Sequence, residues 1–184
     1  VRPLREITGT SDFNEVFFDS VRVPATSIIG QVGEGWKVAT ASLLHERHST
    51  GGGSTRLKIV LNELVDLARR SHRAGIPALE NHEVRQTIAR FHAQVRTCEL
   101  LTHMTQSNAV RGRPRPQDAP VSKIVFSEVN LAVAEYGVAL QGPSSLFIED
   151  DERAIDDGRW QDAYLYARAY TIAGGSNEIM KVLI

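Results

Sequence analysis

The stretch that decides the fold is Val121–Leu140, VSKIVFSEVNLAVAEYGVAL. Val121, Val125, Val129, Ala132, Tyr136 and Leu140 recur at steps of three or four, the period of one helix face and not the alternation of a strand. Gly142 and Pro143 stop this helix, and its start falls near Gln117. Just upstream, Arg111-Gly112-Arg113-Pro114-Arg115-Pro116 is too rich in proline to be helical. It reads as an exposed basic turn, because a short charge run is more often solvated than a phosphate site.

Before that turn, Val84, Ile88, Phe91, Val95 and Cys98 repeat at helical spacing and define a second helix running to about Val110, with Pro77 closing the loop ahead of it. Leu57, Val60, Leu61, Leu64 and Ala68 form the stripe of a long first helix, expected over residues 34–72. Gly51-Gly52-Gly53 lies inside it, where each glycine costs about 0.5–1 kcal/mol relative to alanine. The glycines either kink or break the helix, pack tightly, or leave room for a ligand. Residues 160–172 and 176 onward supply two shorter helical segments, separated by Gly174-Gly175. Amphipathic helices must bury their apolar faces against one another, so the expected fold is all-α: an antiparallel four-helix bundle with a short N-terminal β segment.

That segment covers residues 1–29. Phe13, Val16, Phe17, Phe18, Val21 and Val23 are strand formers, Asp19-Ser20 suits a turn and Pro24 ends the run. Two short strands do not stand alone in water, so they are expected to join a sheet whose other strands lie upstream. The absence of an initiating Met, and a last stretch, Ile179–Ile184, that stops inside a helical pattern without a cap, agree with a chain cut at both ends.

With 184 residues, 42% of them hydrophobic, the chain can bury one sizeable core. Its formal net charge is −1, from 21 Lys+Arg against 22 Asp+Glu, which argues against nucleic acid as a partner. Cys98 is the only cysteine, so there is no internal disulfide, and no Cys/His spacing suggests structural zinc. No run reaches the roughly 18–20 apolar residues of a membrane span, and Val1–Arg5 lacks a signal-peptide core. A cytoplasmic location is expected.

Two stretches concentrate chemistry: Leu43-Leu44-His45-Glu46-Arg47-His48 and Ala173-Gly174-Gly175-Ser176-Asn177-Glu178. Two histidines three apart around Glu46 miss the H-E-x-x-H spacing, so no metal is expected. On a helix Glu46 and Arg47 differ by about 100° and either reach one cleft together or form an exposed pair on a charged face. In the second stretch, two glycines and Ser176 at a helix start either present backbone N–H groups to an anion or carbonyl, or form a plain turn capped by Ser176.

Taken in order along the chain, these stretches resemble the acyl-CoA dehydrogenase family. Phe13–Asp19 through Val21–Pro24 looks like the end of the family's middle β-domain, and Gly33-Glu34-Gly35-Trp36 like the entry into its C-terminal helical domain. Leu43–Arg47 is similar to its L-x-x-E-R segment, and Ile172–Ile179 to its I-x-G-G-T-N-E-I signature. The resemblance implies residues 1–29 as the end of a β-barrel domain and 30–184 as the helical bundle domain. It implies FAD, an acyl-CoA substrate, an electron-transferring flavoprotein as acceptor, and a homo- or heterotetramer built as a dimer of dimers. Many members carry the catalytic glutamate where this chain has Gly174; others carry it on the first helix, where Glu46 stands. Glu46 is therefore expected as the base, Arg47 and Gly174 beside the substrate, and Gly175, Ser176 and Glu178 at FAD. The family's R-x-x-F-G falls on Ser71, Ala74 and Gly75, and its Q-x-x-G-G on Ala139, Gly142 and Pro143, so contacts to FAD across the dimer are partly lost. A flavin-poor partner subunit of a heteromeric dehydrogenase and an acyl-CoA oxidase are the alternatives.

Overall fold

The structure, a computed structural model, describes residues 1–43 and 53–184 in full and residues 44–51 by their helical backbone alone; Gly52 lies outside the described residues. The chain forms two compact units, Val1–Glu46 and Arg47–Ile184.

In the first unit, β1 (Arg2–Leu4) pairs antiparallel with β2 (Phe13–Glu15), Arg2 facing Glu15 and Leu4 facing Phe13. The Glu6 carboxylate holds the connection by accepting the backbone N–H groups of Asp12 at 2.7 Å and Phe13 at 3.1 Å. Of the strand formers expected within residues 1–29, only Phe13 lies in a strand: Ser20 turns the chain at φ 51°, and residues 16–23 have no ladder partner among the described residues. Phe17, Phe18, Val21 and Val23 are left exposed. Helix α1 (Gly35–Gly51) begins in this unit.

The second unit is the helical bundle, made by α2 (Ser54–Arg70), α3 (His82–Val110), α4 (Asp118–Gln141) and α5 (Arg159–Ile172), with a short α6 (Asn177–Val182). α4 is the central element and packs against α2, α3, α5 and α6. Of its expected stripe only Val129 and Leu140 are buried, Val121, Val125, Ala132 and Tyr136 being half-buried, while Phe126, Val133, Ala134 and Gly137 form another buried face. Tyr136 meets Phe91 of α3 edge to face, while Trp160 of α5 lies over Gly137. Leu57, Leu64, Val84, Val95, Cys98, Val133 and Trp160 form the centre of the core.

The single first helix expected over 34–72 is instead two, α1 and α2. Gly53, at φ −73° and ψ 7°, starts α2, and a Cβ there would sit 2.2 Å from Cε2 of Phe126, so close packing requires glycine at this position. Gly51 and Gly52 lie outside the residues described in full. α2 also ends sooner than expected. After Arg70 the chain makes a tight hairpin, β3 (His72–Arg73) with β4 (Ile76–Pro77), turning through Ala74 and Gly75 at φ 53° and 80°. Asn81 then caps α3, its side-chain oxygen accepting from Glu83 N at 2.9 Å and Val84 N at 3.2 Å, which satisfies two of the helix's orphan donors. The other boundaries match the sequence reading: α3 ends at Val110, residues 111–117 are exposed, and α4 stops at Gly142.

The long connection between α4 and α5 is tied to α2 by Arg70, which donates to both oxygens of Asp156 at 2.9 and 3.0 Å. No helix among the described residues is long and apolar enough to cross a membrane.

Candidate functional site

The segment that joins α5 to α6, together with the first turn of α6, carries four of the residues singled out from sequence. α5 ends when Ala173 N bonds back to Ala169 O at 2.8 Å, after which Gly174 and Gly175 take φ 66° and 98°. Side chains other than glycine rarely adopt these angles, so the glycines permit a reversal that most residues would resist. Ser176 is the N-cap of α6; its hydroxyl oxygen accepts from Ile179 N at 3.4 Å. Gly174, Gly175 and Ser176 are half-buried and Glu178 is exposed. The Glu178 carboxyl is held below its ordinary range, first by its own backbone N–H and then by the Ser176 hydroxyl.

Beneath this turn lies a polar contact that the sequence reading did not include. Lys123 of α4 is wholly buried, and its Nζ donates to Asn177 Oδ1 at 2.7 Å. The Ser127 hydroxyl, one turn along α4, is 3.1 Å from the same oxygen. Burial lowers the Lys123 pKa, and the nearby Glu178 charge works against that shift. The available signal was a polar and small-residue stripe, Lys123, Ser127, Asn130, Ala134 and Gly137, running at helical spacing through an apolar helix.

A cavity of about 160 Å³ opens between α2, α4 and α5, lined in part by Arg56, Asn130, Arg159, Asp162, Tyr166 and Tyr170. Tyr170 stacks edge to face on both Phe126 and Tyr166. At the hairpin end of the bundle, Arg73 and Ala139 line one smaller cavity of about 100 Å³, which brings the hairpin after α2 next to the last turn of α4.

The side chains of His45, Glu46, Arg47 and His48 lie outside the residues described in full, so the expected base has its helix but no described contacts. No group of three metal-ligating side chains occurs among the described residues.

The model of the acyl-CoA dehydrogenase C-terminal domain matches residues 33–184. The chain belongs to the acyl-CoA dehydrogenase family. Among curated members, it is 35% identical over 185 residues to the acyl-CoA dehydrogenase IpdE1 of Mycolicibacterium smegmatis, covering 100% of this chain and 44% of that protein. The IpdE1 of Mycobacterium tuberculosis is also 35% identical, with 100% and 45% covered. The chain thus spans less than half the length of these relatives. Among solved structures, the ChsE4-ChsE5 complex from Mycobacterium tuberculosis superposes with a TM-score of 0.84 at 24% identity, covering 99% of this chain and 47% of that one. The acyl-CoA dehydrogenase from Geobacillus kaustophilus gives 0.84 at 20% identity, with 100% and 47% covered. At these identities the superpositions speak for the fold, a helical bundle of the acyl-CoA dehydrogenase type.

Proposed function

We propose that this chain is the C-terminal part of an FAD-dependent acyl-CoA dehydrogenase, in which Glu46 removes the α-proton of the thioester substrate. The observation that carries the reading is the pairing of Leu43–Arg47 with Gly174–Glu178 in a family domain where the usual base position, Gly174, has no side chain to take a proton. A carboxylate must then come from elsewhere, and Glu46 stands where the L-x-x-E-R segment supplies one. The exposed Phe17, Phe18, Val21 and Val23 support residues 1–29 as the tail of a β-domain that further chain would cover, with residues 30–184 as the bundle domain.

FAD is the cofactor the family implies. The turn at Gly174 and Gly175 suits it: two half-buried residues without Cβ add no side-chain bulk beside a planar group, and Ser176 follows them directly. Gly175, Ser176 and Glu178 would hold FAD, which when bound supplies the acceptor for the hydride leaving the β-carbon. Glu46 takes the α-proton onto its carboxylate, and a positioned carboxylate contributes through general base catalysis. Arg47 and Gly174 line the substrate, Arg47 through charge and Gly174 by yielding space. The reading includes an electron-transferring flavoprotein as acceptor, a tetramer and a cytoplasmic location. Glu46→Gln in the full-length protein should abolish turnover of acyl-CoA and leave flavin content unchanged; retained turnover would remove Glu46 as the base.

A second reading is favoured by the losses at Ser71, Ala74, Ala139 and Pro143; Arg73, which lies between the first two, lines a cavity with Ala139. In it the chain is one subunit of a heteromer whose partner completes the flavin site. Paired chains are named in two of the similar structures, ChsE4-ChsE5 and Tcur3481-Tcur3483.

A further inference from the structure

Lysine is among the residues least often fully buried, and where it is buried it is normally paired with a carboxylate. Among the described residues Lys123 has no carboxylate within bonding distance; its ammonium gives a short hydrogen bond to the side-chain carbonyl of Asn177. Charge-assisted bonds of this kind are stronger than neutral ones, and an apolar residue of the same length would avoid the desolvation cost. What the bond holds gives the reason for its presence. α6 has six residues, too few for a helix to be stable by itself. It hangs from two glycines at positive φ, which supply freedom and not direction. Its buried attachments are Asn177 and Met180, and Asn177 directly follows Ser176.

We propose that Lys123 is a positioning residue: through Asn177 it fixes the turn Gly174–Glu178 against the rigid central helix and so sets the geometry in which that turn meets its cofactor. The cofactor part rests on the FAD reading above; the positioning part does not. The Ser127 hydroxyl lies 3.1 Å from the same acceptor oxygen and 3.0 Å from Ile124 O, so its single proton serves one or the other.

The test uses the full-length protein with Lys123→Met, Asn177→Leu and the double variant. Two readouts are taken, amide hydrogen exchange of residues 173–182 and titration of the apoprotein with FAD. Each single variant should speed exchange in that segment at least tenfold while α2 and α3 stay protected, and should weaken FAD by tenfold or more. The double variant should be no worse than either single, because both remove one contact. Asn177→Asp keeps an acceptor oxygen and should be tolerated in the parent, yet be the most damaging change in the Lys123→Met background, where its carboxylate is buried without a cation. Val133→Ala serves as a control that lowers stability from the same helix and should leave both readouts unchanged. Unchanged exchange at 173–182, a rise spread evenly over the molecule, or additive singles would overturn the proposal. If exchange responds as expected while the parent protein takes up no FAD even at saturating flavin, the positioning role stands and the reading of this chain as a self-sufficient flavin subunit falls.

Discussion

At the scale of single residues, Gly137 shows two effects in direct opposition. In the middle of α4, alanine would be favoured over glycine by about 1 kcal/mol on helix propensity. A Cβ there would lie 2.0 Å from Cε3 of Trp160, a ring that is fully buried and has nowhere to retreat. Overpacking of this kind costs about 1–3 kcal/mol, so it outweighs the propensity. Gly137→Ala should therefore lower the urea midpoint, and an unchanged or higher midpoint would show that Trp160 can move aside. The same reasoning explains what the sequence concealed here. Gly137 and Lys123 belong to a stripe that the sequence shows, but what they meet, a ring and an amide, is supplied by α5 and α6, far along the chain. Ser176 was readable because its role is local: it caps the helix that it begins.

Between elements, α2 and α3 are joined by an exposed but concentrated charge cluster, in which Glu99 receives both Lys58 of α2 and Arg96 of its own helix. Lys58 first and Arg96 second lower the Glu99 carboxyl from an ordinary 4.5 to about 2. A carboxylate with a depressed folded-state pKa stabilises the fold above its unfolded value, and that contribution is lost as pH falls through the folded value. Glu99→Gln should thus melt below the parent protein at neutral pH. The gap should close as pH is lowered from about 4.5 to about 2, where the parent carboxyl becomes protonated as well. Melting curves that differ by a constant amount across this range would show that the cluster contributes nothing through charge. Helix existence was legible in these elements because apolar spacing is a local signal; α3 and α4 fall where their stripes place them. The break between α1 and α2 was not, since a glycine run permits both a kinked helix and two helices, and contact with Phe126 decides what Gly53 does. The hairpin after α2 was hidden because Ala74 occupies a left-handed turn position that usually signals itself with Asn, Asp or Gly.

For the whole molecule, the proposed function raises the question of whether one chain can hold a flavin. The candidate site was legible where its motif is continuous, Gly174 to Glu178, and not where it depends on residues brought together from other chain segments. Under the proposed function, the motifs that fall on Ser71–Gly75 and on Ala139–Pro143 are broken, whereas the α5–α6 turn keeps its two positive-φ glycines. A subunit with that turn intact and the other contacts missing would bind flavin weakly by itself and gain affinity when a second chain supplies donors to the same cofactor. Such coupling follows from linkage, since a ligand that contacts both chains stabilises their association. The full-length protein purified alone should then be pale, and adding a partner chain should raise flavin absorbance in proportion to complex formed. Dilution should release flavin and separate the chains together, a joint dependence that size-exclusion chromatography with absorbance at flavin wavelengths would reveal. A yellow protein that keeps one flavin per chain at high dilution would instead establish a self-sufficient site. In that case groups of this chain other than those of the broken motifs must hold the cofactor, and bleaching on titration with acyl-CoA thioesters would then identify the substrate class directly.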